Sequence, residues 1–230
     1  MTTTAREGGV AVTRALLGWG VVAGPFYLAV GLAQALTRDG FDLSRHMLSL
    51  LMLGVGGWIQ TANLSVTGLM VLAAAAGFAR ATGRRGVALA LGVYGVSLMA
   101  SAAFAPDPML GFPPGSAAPA APSTSGLLHL AAGGIGFVAL ALGAFLAASW
   151  FAHARAGLAV PLSRIAAGVV AAGFFGGAAL ATRPVGVGLI WLAVVVGFGW
   201  LAVGSWTASR LTAEAGLPAQ DIQGRTMELR

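Results

Sequence analysis

The chain has 230 residues, of which 57% are hydrophobic and 9% charged, and its mean hydropathy is +0.85, whereas an ordinary soluble domain carries about 25% charged residues. No water-soluble core could hide that much apolar surface, and the formal charge of +6 comes from arginines scattered between apolar runs, which speaks against a nucleic-acid patch. There is no cysteine, so disulfides, thiolate metal sites and cysteine nucleophiles are excluded.

In chain order, residues 1–14 form a polar segment with Arg6 and Arg14, and an apolar run follows at about 15–36. Ala33-Gln34-Ala35 resembles a signal-cleavage site, but a signal core is only about 7–15 residues long, so this run is expected to be a retained first span. Further runs lie at about 58–79, 87–105, 126–150, 162–182 and 186–207, each near the length that crosses about 30 Å of hydrocarbon. The expected fold is all-α: a polytopic six-transmembrane-helix bundle over residues 15–210, followed by a disordered cytoplasmic tail at 211–230. Barrel strands would alternate in polarity, and these runs do not.

Arginines gather in the odd-side segments: Arg6 and Arg14, then Arg80, Arg84 and Arg85, then Arg155 and Arg164, then Arg210. The other connections hold only Arg38, Arg45 and Arg183. The positive-inside rule then places both termini in the cytoplasm of a multi-pass cell-membrane protein. The long connections at about 37–57 and 106–125 face outward, and the second is a Pro-Gly turn followed by a flexible piece. Small-residue pairs such as Gly20 and Gly24, Gly133 and Gly136, and Gly173 and Gly177 are expected to seat helix against helix inside one bundle.

Polar groups beside hydrocarbon are costly and therefore informative. Tyr94, Ser97 and Ser101 share one helical face, as do Gln60, Asn63 and Thr67, and His129 enters span four near its outer end. In the first outer connection, Asp42, Arg45, His46 and Ser49 crowd together. A short helix would put Arg45, His46 and Ser49 on one side, with Asp42 paired to Arg45 or, like Ser44, acting as a cap. The expectation is a lid over an outward polar pocket lined by Arg45, His46, Ser49, Asn63, Asp107 and His129.

Three uses of that pocket stay open. The leading one is binding of a small or lipid-derived ligand, or of a partner, without catalysis; no nucleic acid is expected, and oligomeric state is undetermined. The alternative is a metal-dependent hydrolase of lipid amides or esters, with His46, Asp107 and His129 as ligands of a zinc ion and water in the fourth position. The second alternative is a small-solute transporter, for which neither an internal repeat nor a mid-span acidic residue offers support. Arg45 and Arg183 are also guanidinium forks suited to an anionic head group.

The run Ser44-Arg45-His46-Met47-Leu48-Ser49-Leu50-Leu51, with Trp58 and Asn63 after it, resembles the opening of the domain-of-unknown-function 998 family of prokaryotic six-span integral membrane proteins. Asp107-Pro108, the turn Gly111-Phe112-Pro113-Pro114-Gly115, and Gly126-Leu127-Leu128-His129 are similar to its second half. The resemblance implies the six-span topology and attention to Arg45, His46, Ser49, Asn63, Asp107 and His129. It implies no reaction. Residues 52–57 depart from the pattern, lacking its extra polar or Pro residues.

Overall fold

A computed structural model describes residues 3–216. Among them six α-helices are long and apolar enough to cross a membrane: α1 Thr3–Thr37, α2 Gly57–Thr82, α3 Arg85–Ala103, α4 Thr124–His153, α5 Ala159–Ala179 and α6 Pro184–Gly216. A chain crossing hydrocarbon must satisfy every backbone N–H and C=O internally, which helices do. The fold is thus all-α, a six-helix bundle of a multi-pass membrane protein.

The helices reach beyond the apolar runs. Residues 3–14, polar in sequence, are already part of α1, whose 35 residues extend about 52 Å at 1.5 Å per residue. Helix α6 continues through residues 211–216, and the remainder of the expected tail, 217–230, lies outside the described residues. Turn chemistry sets the other ends. Gly83 closes α2 in a left-handed conformation (φ 63°), its amide donating to the Ala79 carbonyl oxygen. Pro184 opens α6 at a first-turn position where its missing N–H costs nothing.

Each helix packs on its neighbours in the chain, and α6 returns to pack on α1, so the six close into a ring. Helix α6 also touches α2 and α4 across the ring. Glycine permits the closest of these approaches. A Cβ on Gly24 would lie 2.7 Å from the Phe198 Cβ, and one on Gly177 would lie 2.6 Å from Ile190 Cγ1. Gly20 faces Ser205, Gly136 faces Ser97, and Gly173 faces Ala193. These five seat helices within the bundle, as lipid, being as apolar as the side chains, supplies little drive of its own for association; Gly133, expected to pair with Gly136 in the same role, meets no neighbour within 4 Å of a Cβ.

One polar seam lies between α1 and α2. Gln34 Nε2 donates to Gln60 Oε1 (2.9 Å), and Asn63 Nδ2 donates to the same oxygen (3.2 Å) and to the Tyr27 carbonyl oxygen (3.1 Å). Not every indole sits in an interfacial belt. Trp200 is buried and donates to Ser163 Oγ (2.9 Å), tying α6 to α5.

Candidate functional site: an interior cavity at the loop end

The two long connections, residues 38–56 and 104–123, meet at one end of the bundle. The first is organised by Arg38 and His46. Arg38 donates to the Leu51 carbonyl oxygen (3.3 Å) and the Leu53 carbonyl oxygen (2.5 Å), with its guanidinium 5.7 Å from the centre of the Phe112 ring. It thereby holds the 3-10 turn Leu48–Met52 against the second connection. Reading the sequence gave Arg38 no role beyond charge counting; the carbonyls it caps are backbone groups that leave no mark in composition.

His46 is 2% exposed. Its Nδ1 accepts the Asp42 backbone N–H (2.9 Å), which puts its proton on Nε2, 3.3 Å from the Leu110 carbonyl oxygen. Its ring packs against both Phe41 and Phe112, with centroids 5.3 and 5.5 Å away, and these two rings meet edge to face at 5.2 Å. Both nitrogens are therefore spent on backbone. Asp42 makes no ion pair with Arg45. Its Oδ1 accepts instead from the Ser44 hydroxyl (2.7 Å) and the Ser44 amide (2.8 Å), and these bonds hold the Asp42 carboxyl below its ordinary pKa.

The expected short helix with Arg45, His46 and Ser49 on one side is not formed. Residues 43–45 make a turn, and only Leu48–Met52 is helical, as a 3-10 turn. Arg45 is exposed, His46 turns into the loop core, and Ser49 lines a cavity. Asp42 does make a cap-type bond to the Ser44 amide, but the single turn it starts, closed by the His46 amide on the Asp42 carbonyl oxygen (2.8 Å), goes no further, and the His46 ring turns inward to the Asp42 amide and the Leu110 carbonyl oxygen. Arg183, likewise exposed, sits in the turn between α5 and α6.

Beneath the loops lies a cavity of about 390 Å³ inside the ring, within the 300–1,000 Å³ common for ligand sites. Met47–Leu50 and Pro106–Met109 cover it. Tyr94, Ser97 and Ser101 line its α3 wall, all buried, as their shared helical face requires. The opposite wall is apolar, with Phe137 and Phe174 stacked at 4.9 Å. Trp191 also lines it, and its buried Nε1–H has no partner among the described residues. Four of the lining residues are exposed: Pro122, Leu127 and Leu130 at and before the start of α4, and Ala178 on α5; Ser49, Asp107 and His129 are half-buried. The exposed part of the lining is therefore apolar and belongs to α4, the segment just before it, and α5.

Asp107 and His129 stand at its loop end. Asp107 Oδ2 accepts the Ser123 amide (2.9 Å), and Ser123 in turn caps α4 by accepting the Gly126 amide (2.9 Å). A carboxylate there also suits the positive end of the helix dipole. Its Oδ1 has no partner among the described residues. His129 Nδ1 lies 2.9 Å from the Ser101 carbonyl oxygen and 2.8 Å from that of Phe104. Two acceptors at one nitrogen require the proton to be there, so in the neutral ring Nε2 is left as an acceptor.

Of the six residues expected in the pocket, the structure brings together Ser49, Asp107 and His129. Asn63 belongs to the α1–α2 seam, His46 to the loop core, and Arg45 to the surface. His46, Asp107 and His129 do not converge, and among the described residues no group of three His, Asp or Glu is placed to hold a metal ion.

A family model described as "Protein of unknown function (DUF998)" matches residues 21–207. No curated protein and no solved structure matched the chain.

Proposed function

From the premise that the chain belongs to the DUF998 family, we propose that it is a cell-membrane protein whose interior cavity binds a single-chain, lipid-like small molecule taken sideways from the bilayer. The observation that carries this reading is the exposed apolar part of the lining of a cavity of about 390 Å³: Leu127 and Leu130 are 52% and 58% exposed, and Pro122 and Ala178 are exposed with them. An apolar lining there admits an alkyl chain without desolvating any polar group, and it opposes a hydrated solute. The arginine distribution supports an orientation with both termini in the cytoplasm and the loop end, with Asp107 and His129, on the outer side.

Weighed against the alternatives, the hydrolase keeps Asp107 and His129 but would need a third ligand in place of His46, since an open catalytic zinc site takes three protein ligands. Transport of a polar solute would need a polar passage through the bundle, and three of the residues lining this cavity are packed aromatics, Tyr27 and Tyr94 each against Phe198.

The test is a thermal-shift titration of the purified protein with single-chain amphiphiles, repeated on Gly133→Leu. Gly133 lines the cavity, and a Cβ there would meet nothing within 4 Å, so a larger side chain starts into open space. Stabilisation of the wild type that is lost in the variant is the expected result. An unchanged shift in Gly133→Leu, or no shift in either protein, would refute the reading.

A further inference from the structure

Resting on that cavity, we infer that its loop end selects the head group, and that the preferred ligand is a single-chain amphiphile with a protonated amine head. The unspent groups there accept hydrogen bonds. Asp107 Oδ1 has no partner among the described residues, and in the neutral ring His129 Nε2 is an acceptor, because Nδ1 is committed to the Ser101 and Phe104 carbonyl oxygens. Asp107 is the one charged residue lining the cavity among those described, and no arginine lines it. The free donors, Trp191 Nε1–H and the serine and tyrosine hydroxyls, are neutral.

An ammonium brings three donors and the charge opposite to Asp107, and so can engage both acceptors while its chain runs toward Phe137 and Phe174. A hydroxyl head supplies a single donor. A carboxylate head would meet a carboxylate with no cation to separate the two, which places like charges together in partly desolvated surroundings. The role of Asp107 at the start of α4 does not compete with this, since Ser123 occupies only Oδ2.

The experiment compares laurylamine, lauryl alcohol and laurate, which share one chain, by native mass spectrometry and thermal shift on the wild type, Asp107→Asn and Gly133→Leu. Asparagine retains a carbonyl oxygen for the Ser123 amide, so α4 keeps its start. The expected result is that laurylamine binds the wild type about tenfold or more tighter than laurate, and that Asp107→Asn brings it to the level of the alcohol without weakening the alcohol. Equal binding of all three probes, abolished together in Gly133→Leu, would overturn the head-group assignment and leave the cavity reading standing. So would an amine preference that survives in Asp107→Asn. Binding of none of them, or binding indifferent to Gly133→Leu, would overturn the cavity reading itself.

Discussion

Replacing His46 with alanine separates a structural tie from a ligand. The substitution deletes the acceptor of the Asp42 amide and the donor to the Leu110 carbonyl oxygen, at 2.9 and 3.3 Å, for about 1 kcal/mol each. It also deletes two ring contacts, with Phe41 at 5.3 Å and Phe112 at 5.5 Å, for about 0.5–1 kcal/mol each. The total is about 3 kcal/mol. Since about 1.4 kcal/mol is a factor of ten, local opening of the loop end should rise about a hundredfold. Hydrogen exchange in detergent should show this in both connections, around residues 41–53 and 107–113, because His46 is bonded to each. Exchange that stays unchanged, or that rises only on the His46 side, would refute the tie. A chelator that reproduces the effect in the wild type would do so as well, by revealing a metal at the imidazole.

Four further outcomes follow from the same contacts. Gln60→Leu strips an acceptor from Gln34 and Asn63 and should cost about 1–3 kcal/mol in thermal unfolding, with the Gln34→Leu, Gln60→Leu pair recovering part of it because one orphaned group is removed. Gly24→Ala, whose Cβ would sit 2.7 Å from the Phe198 Cβ, should cost about 1–3 kcal/mol, whereas Gly92→Ala, with nothing within 4 Å, should be neutral or stabilising by up to about 1 kcal/mol. Arg38→Lys keeps the charge but not the fork that spans the Leu51 and Leu53 carbonyls, so exchange in residues 48–53 should accelerate as it would in Arg38→Ala. The Asp42 carboxyl is held below its ordinary pKa by Ser44; its contribution to the turn is present above the ordinary carboxylate range and is lost as pH falls through the lowered value. The Ser44 amide resonance should report that transition and show none in Asp42→Ala.

The spans were legible because hydropathy measures what lipid requires, and six apolar runs of sufficient length leave few alternatives. Their ends were not, since a helix continues wherever the backbone allows: residues 3–14 of α1 look like a polar leader only if helix and membrane are taken as one thing. The faces of α3 and α2 were readable from three- and four-residue spacing, and Tyr94, Ser97 and Ser101 do share a wall. Asn63 was misread as a pocket residue for a physical reason. Spacing tells that a residue faces inward, but not whether another polar side chain, here Gln60, meets it there. His46 shows the same limit more sharply. A histidine with a vacant nitrogen and one with both nitrogens on backbone look identical in sequence, and the difference lay in the Asp42 and Leu110 backbone groups.

The ring closed by α6 against α1 has a consequence for how the protein is made. Helix α1, made before the other five, carries the glycines that receive α6: Gly20 and Gly24 meet Ser205 and Phe198. Until α6 is inserted, that seam faces lipid, and the cavity lacks the wall formed by Trp191, Val194 and Phe198. The cavity is therefore completed only by α6, so a chain arrested after α5 holds both connections of the loop end and still has no enclosed room beneath them.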